Sequence, residues 1–277
     1  MFAAIPYFGL TTTHWQPFGL DVPLDPWAIL VALGFIVGME MTRYRAIRQG
    51  LDVRDAVDGV LAIVGSGFVM GHVVTVLAYH PERLATDGIW SLLRLWEGFS
   101  SFGGFLGAVL GAVVFFKYIR PRPFWLHADL VAYGFPFGWI FGRMGCASVH
   151  DHIGSLTTFP LGMEFPKGYR VEGFDVAGVR HELGLYEALI FLVFAAAWLW
   201  LGRQQRKPGF FVGWLAVMYA PIRFGLDFLR NDDLPIRFQD ARYYHLTPAQ
   251  WGCFVMLALG VWVLATTQRG PTAEPAQ

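Results

Sequence analysis

The run from Gly142 to Gly154, GRMGCASVHDHIG, is the densest concentration of ionisable and nucleophilic groups in the chain. Arg143 stands between Gly142 and Gly145, whose missing side chains let another backbone or a ligand head group come close. A guanidinium is well shaped to grip a phosphate through two parallel hydrogen bonds. His150, Asp151 and His152 follow in direct succession, and they offer an acid or base near neutral pH beside a carboxylate able to orient it. The chemistry implied is proton transfer next to a bound phosphate. A polar loop with solvated histidines would give the same residues and no chemistry. A metal held by His150, His152 and Asp151, with His72 joining them, is a further use of these residues, but ligands on adjacent positions are not a recognised zinc pattern. Neither a metal nor a cofactor is expected.

More charges lie where the surrounding sequence is apolar: Asp129, Glu187, and Arg223 and Asp227, with Arg230 following. Spacings of four and three put Arg223, Asp227 and Arg230 on one helix face. Such residues cost about 2.5 to 3.5 kcal/mol each at mid-membrane, so they must pair, face the interior or line a polar cavity. An ion-pair network that only fixes helix register is one reading, and a phosphate-binding set with Arg143 is the other.

The elements that must carry these residues are read from composition. Of 277 residues, 55% are hydrophobic and 15% charged, a deficit of charge that places much of the surface against lipid. Seven stretches approach the length of a bilayer-crossing helix: Trp27 to Thr42, Ala56 to Tyr79, Phe99 to Phe116, Leu126 to Cys146, Leu185 to Leu201, Phe210 to Leu229 and Pro248 to Thr266. Since backbone polar groups in lipid must pair within the segment, the class is an all-α polytopic membrane protein, not a barrel. Asp25 and Pro26 mark the first start, and Thr247, Pro248 and Gln250 spell a capping box with proline at the first helical position.

Arg43, Arg45, Arg48 and Arg54, then Lys117, Arg120 and Arg122, then Arg203, Arg206 and Lys207, fall in loops of one parity. The positive-inside rule then puts the N-terminus outside and the C-terminus in the cytoplasm. No removable signal peptide is expected. Residues 1–269 form the membrane domain, residues 148–182 a small outer cap of strands and turns between spans four and five, and residues 270–277 a disordered tail. Basic residues sit in short loops and do not line one solvated face, which excludes a nucleic-acid partner. Cys146 and Cys253 lie in or beside spans, where a disulfide framework is not expected. Gly103, Gly107 and Gly111 recur every fourth residue in span three, a pattern for close helix packing, with a backbone break conceivable at Gly103 and Gly104.

Six segments in this order resemble the bacterial prolipoprotein diacylglyceryl transferases: FSSFGGFLG, HADLVAYGFPFGWIFGRMG, FPLGMEFP, RHELGLYE, APIRFGLDFLR and LTPAQWG. The resemblance runs from about Asp25 to Thr267. It implies a multi-pass enzyme that transfers the diacylglyceryl group of phosphatidylglycerol to the lipobox cysteine thiol of a secreted preprotein, forming a thioether and releasing glycerol phosphate. Membrane lipids and such preproteins are the implied partners. It assigns Arg143 and Arg223 to the phosphate, with Arg230 nearby, and makes Gly142, Gly145, Gly154, Gly103, Gly104, Asp129, His181, Tyr186, Glu187 and Asp227 positions of the same lipid-binding site. Where the family has a histidine before the paired glycines of span three, this chain has Phe102, and an expected asparagine is Cys146. His150 or His152, oriented by Asp151, is then the expected replacement for that base, with His72 in competition. Two alternatives remain: a relative on the same scaffold that passes the lipid to another acceptor or to water, and a non-catalytic lipid-binding protein.

Overall fold

A computed structural model describes residues 4–95, 98–171, 173–234 and 240–269; the expected tail from Gly270 lies outside them. Long helices follow the apolar segments: α1 (Pro26–Arg48), α2 (Val53–Val74), the short α3 (Pro81–Asp87), α4 (Ser101–Val114), α5 (Phe124–Val149), α6 (Leu183–Leu201), α7 (Phe210–Leu226) and α8 (Pro248–Thr267). Among the described residues six helices are long and apolar enough to cross a membrane. Five are α1, α6, α8 and the extensions of α2 and α4 by a turn of wider helix to Tyr79 and Ile119; the sixth is α7 extended to Leu229. The fourth expected span forms α5, whose 26 residues make it long enough, but His127, Asp129 and Arg143 keep it more polar than those six.

The contacts divide the chain into two compact units. The first comprises Met1–Gly38, Phe135–Arg203 and Phe228–Gln239. After α5 the chain forms β4 (Ile153–Leu156), β5 (Met163–Phe165), β6 (Arg170–Val171), β7 (Phe174–Asp175) and β8 (Gly178–Glu182). β5 and β4 flank β8 antiparallel, and β1 (Ile5–Pro6) from the N-terminus adds to β5 in parallel. β2 (Thr13–Trp15) and β3 (Val22–Leu24) make a separate hairpin. These N-terminal strands modify the all-α expectation, which allowed strands only in the cap; pieces of two or three residues show no period that a sequence could reveal. Ala147, Ile153, Met163, Phe165, Val176 and Leu185 form the buried core beneath the sheet. Within this unit α1 and α5 cross closely at glycines: a Cβ on Gly34 would stand 2.6 Å from the Gly138 carbonyl oxygen.

The second unit comprises Met39–Gly134, Gln204–Asp227 and Asp240–Gln277. α4 begins cleanly at Ser100, whose hydroxyl accepts from the Gly103 amide at 3.0 Å. The conceivable break at Gly103 and Gly104 is therefore a continuous first turn. Gly103, Gly107 and Gly111 press this helix onto α2: side chains there would run into Met70, Val74 and Ser66, and the Ser66 hydroxyl donates to the Gly107 carbonyl at 2.9 Å. Gly107→Ala is expected to lower stability in detergent by about 1 to 3 kcal/mol, because the Ser66 backbone must move. Gly65→Ala, on an α2 position with open space, is the control, and equal melting temperatures for the two would refute this packing. Asp129 accepts from the Val212 amide at 2.9 Å, capping the start of α7 from a neighbouring helix.

Candidate functional site

In the first unit, Arg143 is 4% exposed near the end of α5. Its guanidinium stands 2.7 Å from the Glu187 carboxylate on α6 and 4.7 Å from the centre of the Trp139 ring, one turn earlier on α5. Glu187 also accepts from the Trp139 indole at 3.4 Å. Carboxylate and ring fix the arginine's plane, which matters because bidentate phosphate recognition depends on orientation. A Cβ on Gly142 would meet nothing within 4 Å, leaving room beside the arginine, whereas one on Gly145 would touch Trp27 and Leu30 of α1 in ordinary contact.

The end of α5 separates the two histidines. Val149 closes the helix and His150 takes φ 53°, a left-handed conformation rare outside glycine, so the chain reverses there. The His150 ring turns inward among Tyr7, Phe8, Phe165 and Tyr169. Its Nδ1 is 3.1 Å from Glu182, which is fully buried at the end of β8. Burial pushes the Glu182 carboxyl up, against the opposing pull of His150. His150 is thus partnered by Glu182, not Asp151, and belongs to the interior of the cap.

Asp151 and His152 fold back over the last turn of α5, where the Asp151 amide donates to the Cys146 carbonyl at 3.4 Å. The Asp151 carboxylate accepts from the His152 ring. Burial alone would lower the pKa of His152, but Asp151 outweighs it and, with Cys146 adding, pushes the ring up to about 9. Burial likewise works against the ionised Asp151, yet His152 and Arg143 hold it below the usual carboxylate range. At neutral pH the pair is an imidazolium on a carboxylate, a partner for an anion such as a thiolate. Cys146 completes the group: its sulfur is 3.8 Å from Arg143 Nη1, and its Sγ, an Asp151 oxygen and a His152 nitrogen lie within 4.8 Å of one another.

Around this group the cap is fixed by further pairs. Arg180, buried on β8, donates to Asp233 through Nη1 at 2.9 Å and Nη2 at 2.5 Å. That hydrogen-bonding holds the Asp233 carboxyl below its usual range. His181 bonds the Tyr186 hydroxyl at 3.0 Å. Gly154 forms a bridge with Arg230, and a side chain there would strike Leu229 and His181, so its role in this unit is close backbone packing.

In the second unit Arg223 is 5% exposed, and its Nη1 lies 2.8 Å from Asp227, one turn on. Asp227, fully buried, also accepts from the Thr247 hydroxyl. Thr247 in turn is the first member of the capping box that starts α8. The cap of one helix therefore braces the arginine of another. Phe102 lies against Gly252 of α8, where a side chain would fall on the ring. His72 is fully buried, with Nδ1 3.1 Å from the Gly98 carbonyl oxygen and Nε2 2.8 Å from that of Ser91, so both nitrogens face backbone carbonyls.

The expected residues thus divide. Arg143, Gly142, Gly145, Asp151, His152, Tyr186, Glu187, His181, Gly154 and Arg230 belong to the first unit, and Arg223, Asp227, Asp129, Gly103 and Gly104 to the second. Asp129 serves as a helix cap and Gly103 as a packing contact. Sequence reasoning missed Glu182 as the partner of His150, Trp139 beneath Arg143, and Cys146 as a neighbour of Asp151 and His152. Glu182 had a signal, since it follows His181 directly in RHELGLYE.

Comparison with known proteins finds a match to the model of the family described as prolipoprotein diacylglyceryl transferase over residues 18–266. The chain is 31% identical over 258 residues to the phosphatidylglycerol–prolipoprotein diacylglyceryl transferase of Nitratidesulfovibrio vulgaris, covering 90% of this chain and 91% of that one. It is 30% identical to the like-named protein of Chromohalobacter salexigens, covering 90% of each. To that of Solidesulfovibrio magneticus it is 30% identical, over 91% of this chain and 92% of the relative.

Proposed function

We propose, for a chain that belongs to the prolipoprotein diacylglyceryl transferase family, that it transfers the diacylglyceryl group of phosphatidylglycerol to the lipobox cysteine thiol of a secreted preprotein. The observation that carries this reading is the pair of buried arginines, Arg143 on Glu187 and Arg223 on Asp227, each near the end of a long helix made mostly of apolar residues. Each has its guanidinium plane set by a carboxylate, which is the preorganisation a departing phosphate needs. Arg143 and Arg223 are each set to receive a phosphate through two parallel hydrogen bonds. The acceptor thiol loses its proton to solvent and is held as thiolate beside the cationic His152 of the Asp151–His152 pair, and its sulfur displaces the phosphate oxygen from the glycerol carbon. The C–S bond forms as the C–O bond breaks, and glycerol phosphate leaves with the bonding electrons.

One feature favours a second reading, in which phospholipid passes to another acceptor or to water. Phe102 fills the family histidine's place with an apolar ring packed on Gly252. Purified protein given phosphatidylglycerol as its sole lipid is expected to release glycerol phosphate only when a thiol peptide is present. Release without peptide would support hydrolysis instead, and no release under either condition would refute both.

The site faces outward in an inner membrane crossed by seven spans, with the N-terminus outside. The basic loops at Arg43 to Arg54 and Arg203 to Lys207 support this orientation. A tag after Gln277 is expected in the cytoplasm, and Lys167→Cys, at an exposed position of the cap, is expected to react with an impermeant thiol reagent added to intact spheroplasts. Labelling of Lys167→Cys only after permeabilisation would overturn the topology.

A further inference from the structure

We propose that Cys146, Asp151 and His152 form a binding site for a divalent metal ion of the zinc class, with a fourth coordination position open to the acceptor thiol; this rests on the transfer reading above. The three donors are a thiol, a carboxylate and an imidazole, with donor atoms within 4.8 Å of one another. Zinc bonds of about 2.0 to 2.3 Å in a tetrahedron set ligands about 3.5 Å apart, so small side-chain rotations close the site. Three protein ligands plus one open position is the arrangement of zinc sites that do chemistry. Thiolate and imidazole select zinc over magnesium or calcium, which prefer oxygen.

The backbone builds this convergence. The left-handed turn at His150 returns Asp151 and His152 over Cys146, and it sends the His150 ring away into the cap. Charge also fits. Arg143, close to the sulfur, is balanced by Glu187 at 2.7 Å, so a dication meets the charges of the Asp151 carboxylate and a Cys146 thiolate. Coordination releases the protons of Cys146 and His152. Asp151 is exposed and its two companions half-buried, leaving a side from which a fourth ligand can enter.

The ion would supply what Phe102 cannot. A thiol coordinated to a metal is deprotonated outright, so the acceptor cysteine would bind as thiolate beside the arginine that holds the phosphate. Its lone pair forms the bond to the glycerol carbon as the phosphate departs, and its proton has already gone to solvent. No oxidation or reduction is involved.

The test is titration of chelator-stripped, detergent-purified protein with cobalt(II), which reports its ligands optically. The expected result is one ion per chain, with a thiolate-to-cobalt charge-transfer band that zinc abolishes, that is absent in Cys146→Ser and that survives in Cys253→Ser. His152→Ala is expected to weaken binding at least 10-fold. Absence of the band in the wild-type protein, or its persistence in Cys146→Ser, overturns the proposal, and the wild-type titration decides even if a variant fails to fold. Metal binding without modification of a lipobox peptide would sink the transfer reading and leave the site standing. Peptide modification by stripped protein that binds no cobalt would sink the site alone.

Discussion

Arg223→Gln is expected to lower phosphatidylglycerol turnover by about 100-fold to 1,000-fold, the loss typical when one donor to a developing anion is removed. Arg223 is 5% exposed and Asp227 is fully buried, so the variant also leaves a carboxylate without its cation, at a cost of about 3 kcal/mol. Arg223→Lys separates the two effects: the charge stays on Asp227, but the planar fork is gone. The lysine variant is therefore expected to melt within about 1 kcal/mol of the wild type and to turn over lipid about 10-fold to 100-fold more slowly. Arg143→Lys should behave alike, since its partner Glu187 is equally hidden at 2% exposure. Turnover assays paired with thermal unfolding in detergent check both. Full turnover in Arg223→Gln would remove the arginine from the site.

The two histidines are expected to fail in different ways. His152→Ala should abolish turnover while shifting stability by less than about 1 kcal/mol, because the ring is part-exposed and bonded to Asp151 at the surface. His150→Ala should unfold the cap instead. It deletes a ring packed among Tyr7, Phe8, Phe165 and Tyr169 and strands the fully buried Glu182. Breaking such a pair costs about 3 to 5 kcal/mol, and the raised pKa of Glu182 favours the lower end, since a neutral carboxyl is less expensive to bury. Retained activity in a stable His152→Ala protein would mean that thiol activation lies elsewhere.

Much of the scaffold was legible because lipid imposes one rule on every crossing segment, and long apolar runs obey it visibly. The capping box at Thr247 was equally readable, since it depends on neighbours in sequence. So was the Arg223–Asp227 pair, one helical turn apart. What sequence concealed were partners brought together by the fold. Glu187 approaches Arg143 from another helix, Glu182 meets His150 across the cap, and Asp129 caps a helix that begins some eighty residues later. The division between His150 and His152 turns on a single positive φ at a residue that is not glycine, which no pattern of residue types announces. Cys146 was placed at the edge of a span and read for its position there; only the reversal after Val149 brings it beside Asp151 and His152.

Diacylglyceryl transfer to a protein thiol is expected of a chain that carries Phe102 where the resemblance leads one to expect a histidine. The most direct measurement is the mass of a lipobox peptide after incubation with the purified protein and phosphatidylglycerol of defined acyl chains. The expected product is a peptide heavier by one diacylglyceryl group, attached at cysteine through a bond that resists hydroxylamine, with one glycerol phosphate released per peptide modified. An unmodified peptide alongside consumed phosphatidylglycerol would contradict it.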